Sequence, residues 1–153
     1  MKRIISVFLL TIILFSLITC NASAISKSSN ETIIFLENGF YAVVTVEENT
    51  ILRATKTKSG SKTIDIYNNN NEKIFDATIT GTFTYTGSSA TCTNATISYN
   101  IYADNWKMKE ATASKSGNKA VGDVTAKRYL LGIPVETVEQ TFYLTCSATG
   151  TLS

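Results

Sequence analysis

The chain contains no histidine in 153 residues. Serine and cysteine nucleophiles are ordinarily activated by an imidazole, so the common triads are excluded. Zinc sites that use imidazole are excluded with them. Proline occurs once, at Pro134, and from Thr32 onward no apolar period of 3.6 residues lasts beyond two turns. The body of the chain is therefore not helical. No motif for a cofactor or a metal is present. Neither sign of charge dominates, with fourteen basic residues against twelve acidic ones and no basic stripe. Such a chain has no electrostatic reason to seek nucleic acid or anionic lipid.

What is present begins with an export signal. Lys2 and Arg3 precede an apolar run from Ile4 to Ile18, broken only by Ser6, Thr11 and Ser16. Ala22-Ser23-Ala24 then supplies the small-x-small pattern of a signal peptidase site. Residues 1–24 are expected as a signal-peptide helix, shorter than the roughly 20 apolar residues of a permanent span. The membrane is thus met only transiently. Leu17-Ile18-Thr19-Cys20 looks like a lipid-attachment box, but Thr19 is bulkier than the residue such a box takes, and lipidation of Cys20 is not expected. Cleavage after Ala24 removes Lys2 and Arg3 and leaves a formally neutral domain. No wall-sorting tail or apolar anchor follows the last strand, so free secretion to the extracellular space is expected.

Residues 25–31 are polar and expected as a disordered lead-in, and residues 32–153 as one domain. Alternation of period two recurs through it. Phe75, Ala77, Ile79, Gly81, Phe83 and Tyr85 alternate with Asp76, Thr78, Thr80, Thr82 and Thr84. Ala95 to Ile101 and Val138 to Ala148 repeat the pattern. These are half-buried strands. Asn38-Gly39 accepts the positive φ angles of a type I′ hairpin turn. Lys58-Ser59-Gly60-Ser61 and Lys115-Ser116-Gly117-Asn118 read as further turns, as do 68–71, 86–89, 104–105 and 132–134. Strands are expected at about 32–36, 40–47, 50–57, 62–67, 73–86, 90–102, 106–114, 119–130 and 135–147. The expected fold is all-β, a single antiparallel β-sandwich of about eight or nine strands, immunoglobulin-like or related.

Two cysteines remain after processing, Cys92 and Cys146, and outside the cell such a pair is expected to form a disulfide. Cys146 follows the apolar period of Phe142 and Leu144, whereas Cys92 is out of phase with Ala95–Ile101. A bulge between Cys92 and Thr96 would bring it to the core. The spacing Cys92…Trp106…Cys146 resembles that of immunoglobulin domains. Leu144 stands where that family has its tyrosine, and little chain follows the second cysteine.

A second resemblance runs from Lys56 to Ser153. It is carried by Lys58-Ser59-Gly60-Ser61-Lys62-Thr63, Gly81-Thr82-Phe83-Thr84-Tyr85, Ser89-Ala90-Thr91-Cys92-Thr93, Ser114-Lys115-Ser116-Gly117-Asn118 and Leu144-Thr145-Cys146-Ser147. In these the chain is similar to a family of uncharacterised small secreted all-β proteins of Gram-positive, Firmicutes-type bacteria. The resemblance implies a secreted β domain with one disulfide and implies no activity.

Aromatic side chains are the candidate binding residues. Trp106, Tyr102, Tyr129 and Tyr143 would form a binding patch if they shared one face, while Tyr85 and Tyr99 follow the inward period. Among the acids, Glu136 and Glu139 point to opposite faces of a strand, and Asp65, Asp76, Asp104 and Asp123 are separated in sequence. Tyr67–Glu72 has one carboxylate, fewer than calcium loops use, and reads as a hairpin tip. The functional expectation is a secreted, non-catalytic domain that binds a cell-surface, glycan or protein partner without a cofactor. The alternatives are a carboxylate-dependent hydrolase and a membrane-active β protein.

Overall fold

The computed structural model describes residues 29–49 and 56–153. The expected signal peptide and nearly all of the strand expected at 50–57 lie outside the described residues. Period-two alternation in the rest becomes eight antiparallel strands. β1 (Ser29–Phe35), β2 (Tyr41–Asn49), β3 (Thr57–Tyr67), β4 (Lys73–Tyr85) and β5 (Ala90–Ile101) form one sheet in chain order. β6 (Trp106–Ser116), β7 (Lys119–Leu130) and β8 (Ile133–Thr145) form a second. Among the described residues every strand pairs only with a neighbour in sequence. This corrects the immunoglobulin-like expectation, because a Greek key needs sheet neighbours that are distant in the chain. β1 begins at Ser29, so the last residues of the expected lead-in are strand, paired with Glu47 to Thr45.

One core spans both sheets. Phe75, Ala77, Ile79 and Phe83 of β4 are fully buried and cluster with Ala120, Val124 and Ala126 of β7 and Phe142 and Leu144 of β8. The opposite face of β4 carries the threonines, whose hydroxyls meet β3 in the pairs Thr82–Ser59 (3.0 Å) and Thr78–Thr63 (2.9 Å).

Local chemistry explains the joints. Asn38 (φ 59°) and Gly39 (φ 80°) both take the left-handed conformation between β1 and β2. Lys58–Ser61, by contrast, lies within the first half of β3 and is not a turn. Gly60 is there because its backbone runs close beneath neighbours. A Cβ would collide with the Leu152 side chain and the Glu47 carbonyl oxygen. The bulge in β5 is present: Phe83 faces Cys92 and Thr82 faces Asn94, leaving Thr93 as the extra residue. Its hydroxyl donates to the Thr82 carbonyl at 3.0 Å.

The bulge turns Cys92 inward, and both cysteines are buried. Their amides donate to consecutive carbonyls of the β6–β7 turn, Cys92 to Gly117 (2.8 Å) and Cys146 to Asn118 (3.0 Å). The expected disulfide is not formed in this structure, where the two side chains are separate thiols. Each points its sulfur at a main-chain carbonyl, that of Asn94 (3.2 Å) for Cys92 and that of Ser147 (3.4 Å) for Cys146. Trp106 packs edge-on against Phe40, with centroids 5.8 Å apart.

Candidate functional site: a groove between the edge strands

The two sheets meet differently at their two sides. At one side the chain runs from β5 to β6, and the corner is tied down by Tyr102 and Ala103 amides on the Ile74 carbonyl (2.9 and 3.3 Å) and the Tyr129 amide on the Asn105 carbonyl (2.8 Å). At the other side β1 and β8 are both edge strands and do not pair with each other. A groove of about 810 Å³ lies between them. That volume is in the range of small-molecule sites.

Alternation supplies the lining. Even-numbered residues of β1, β2 and β3 point into the groove: Ile34, Ala42, Val44, Val46, Lys62 and Ile64. Phe142 of β8 and Leu152 of the C-terminal segment form the facing wall. Ala42, Val44, Ile64, Phe142 and Leu152 are buried at its bottom, while Ile34 is 48% exposed near the open edge.

Glu48 fastens one end. Its carboxylate accepts a hydrogen bond from the Lys58 ammonium (2.6 Å) and another from the Leu152 amide (2.8 Å). Burial works against its charge, but these donors outweigh burial and hold the carboxyl below its ordinary range. The C-terminal segment is held to β8 as well, through paired Thr145 and Ser153 backbone bonds of 2.8 and 3.0 Å. Lys62 differs from Lys58. It lies on the groove floor opposite Val46. Among the described residues its ammonium meets no acceptor, and burial pulls its pKa below the ordinary lysine value. Lys119, at the rim, holds its ammonium 5.1 Å from the Tyr143 ring centre.

The aromatic residues singled out by sequence do not gather. Trp106 is buried at the base of a smaller polar cleft of about 390 Å³ that also includes Asn68, Glu72, Arg128 and Glu136. Tyr102 is exposed at the end of β5 and donates to Asp76 at 2.5 Å. Tyr129 and Tyr143 share the three-stranded sheet, but Tyr143 sits opposite Val121, roughly eight residues or about 27 Å along β7 from Tyr129. Only Tyr143 reaches the groove. Each of the three tyrosine rings has a lysine over it: Lys73 on Tyr102, Lys107 and Lys109 on Tyr129, and Lys119 on Tyr143. Tyr99, expected inside, is 47% exposed on the edge strand β5. An aromatic row that sequence reasoning missed crosses β1–β2–β3. Phe35 is tilted against Tyr41 at 6.5 Å, and Tyr41 is stacked on Tyr67 at 5.0 Å. Only the strand register, Phe35 to Tyr41 to Tyr67, reveals it.

The acids that looked separate include one pair that is not. Asp65 and Asp76 face each other across β3 and β4 and share the Lys73 ammonium, at 2.7 and 3.1 Å. Glu136 pairs with Arg128 (2.7 Å), and Asp123 accepts the Thr141 hydroxyl (2.6 Å). In the Asn-rich tip, the Asn68 carboxamide oxygen accepts from the Asn70 and Glu72 amides, so the loop's oxygen is spent on its own backbone. Among the described residues no three His, Cys, Asp or Glu side chains come together as metal ligands. No helix among them is long and apolar enough to cross a membrane. No family model, curated protein or solved structure matches the chain.

Proposed function

We propose that the chain is an exported, non-catalytic β-sandwich domain that binds a partner through the groove between β1 and β8. The observation that carries this reading is the groove's floor. Aliphatic residues from three adjacent strands converge on a space that, among the described residues, the two edge strands leave open. A buried aliphatic floor beneath walls that also carry Thr32, Lys119, Gln140 and Thr141 suits a ligand with an apolar moiety and a polar end. The partner therefore contributes an apolar group, whether it is a cell-surface component, a glycan conjugate or a protein side chain. Stacking on sugar faces by Tyr102, Tyr129 and Tyr143 is less favoured, because the rings lie apart and each already has a lysine ammonium over one face. The engagement of Asp65, Asp76, Glu48 and Glu136 with basic residues supports binding over carboxylate-dependent hydrolysis. The apolar run and the Ala22-Ser23-Ala24 site support export.

The test uses Nile red, an uncharged dye that brightens in apolar surroundings. The purified protein is expected to bind it saturably. Ile34→Trp, which fills the groove from its exposed edge, is expected to weaken binding at least about tenfold. Absence of saturable binding, or binding that ignores the tryptophan, would remove the groove as the site.

A further inference from the structure

We infer that the ligand of this groove is a long-chain carboxylate, its head held by the Lys62 ammonium and its alkyl chain laid on Ala42, Val44 and Ile64. The inference rests on the groove reading and names its ligand class.

The argument begins with two lysines on one face of β3. Lys58 and Lys62 both lie on the inward side, and both are partly withdrawn from water. A lysine so placed ordinarily acquires an acidic partner, because burying an unpaired charge is costly. Lys58 has one in Glu48. Glu48 is then fully engaged, since its second oxygen accepts the Leu152 amide. Lys62 has none among the described residues, and apart from Glu48 no acidic side chain lines the groove. The floor thus presents one uncompensated positive charge with aliphatic side chains around it. Val46 lies across the strand pair from Lys62, and Ile64 follows it on the same face.

A ligand complementary to that arrangement has one negative charge and a hydrocarbon body. A single ammonium is a point charge suited to one carboxylate, whereas a phosphate dianion draws on several donors. The groove's other lysine, Lys119, stands at the rim against Tyr143 and is not set beside Lys62 to make a phosphate clamp. On binding, a carboxylate would supply the missing acceptor, and its chain, lying over the buried floor, would cover the apolar surface that Ile34 and Val46 leave open.

Displacement of Nile red by dodecanoate and by dodecanol, both below micelle-forming concentrations and at neutral pH, separates charge recognition from simple burial. The two competitors share a chain and differ in the head. Dodecanoate is expected to displace the dye at a concentration roughly tenfold lower than dodecanol. Lys62→Met keeps the side-chain length, removes the charge and is expected to abolish that preference. Lys62→Arg is expected to retain it. Equal displacement by acid and alcohol in the unmodified protein would overturn the inference while leaving the groove reading in place, and so would a preference that survives Lys62→Met. Failure of Nile red to bind at all would overturn both.

Discussion

Asp65 and Asp76 stand directly opposite one another across β3 and β4, an arrangement that like charges disfavour. Lys73 makes it tolerable by touching both, and Asp76 gains further donors in Tyr102 (2.5 Å) and Asn100 (2.9 Å). Burial works against the Asp76 charge, but those three donors outweigh it and hold the carboxyl below its usual range. The sign of the pH effect follows. The unfolded chain, with the ordinary carboxyl, takes up its proton first as pH falls. The stabilisation from Asp76 is therefore intact above about pH 4 and is lost progressively below it. Urea midpoints measured from pH 7 down to pH 2 should show this decline, and Asp76→Asn should flatten it. An acid limb unchanged by the substitution would contradict the assignment. Lys73→Met, leaving the two aspartates without their bridge, should cost about 1–2 kcal/mol at pH 7 after allowance for solvent screening. None of this was legible in the sequence, where Asp65 and Asp76 are separated by a hairpin. Only the register of β3 on β4 makes them neighbours.

At the scale of single elements, the sequence was readable where a residue has one plausible use and misleading where it has two. The alternation in β4 and the displaced phase of Cys92 translate directly into a buried strand face and a bulge at Thr93, because side-chain direction and burial are locked together in a strand. Glycine has two uses. At Gly39 it opens a hairpin, but at Gly60 it lies inside β3 beneath Leu152. Gly81 is the matching residue in β4, paired with Gly60 and covered by the Phe83 ring, where a Cβ would come within 2.6 Å of ring carbons and 3.0 Å of the Ala120 methyl. Phe83 is fully buried and cannot swing aside. Local propensity alone would make Gly81→Ala stabilising by roughly half a kcal/mol or more. Overpacking reverses the sign, and the substitution should destabilise by about 1–3 kcal/mol. Chemical denaturation decides between the two directions. A stabilised alanine variant would show that the ring has room to move.

Among the described residues the molecule has one tied side and one open side, and the cysteines bear on which motions that permits. Cys92 belongs to β5 of the five-stranded sheet, and Cys146 follows β8 of the three-stranded one. The shared β6–β7 turn holds them near each other, and a bond between them would staple sheet to sheet without crossing the β1–β8 groove. The groove itself was not legible in the sequence, since it depends on which edges fail to pair; the inward turn of Cys92 was. Burial pushes both thiols above their ordinary range, and the neighbouring Cys92 adds to the effect at Cys146. Thiols so placed are poor nucleophiles once the sheets have closed, so any oxidation of the pair belongs to folding. We predict that protein taken from its native producer carries the Cys92–Cys146 bond. Its mass should be lower by two hydrogens, and denaturation without reductant should expose no alkylatable thiol. Closing a loop of roughly 54 residues should add about 4 kcal/mol in the chain-entropy account, so reduction should lower the unfolding midpoint markedly. Cys146 bridges Leu152 at the groove's wall but is not itself among the lining residues, so the reduced but still folded protein should bind Nile red as tightly as the oxidised one. Two reactive thiols in the native material would place the chain in a reducing compartment. Dye binding lost on reduction, with the fold intact, would show instead that the staple shapes the groove.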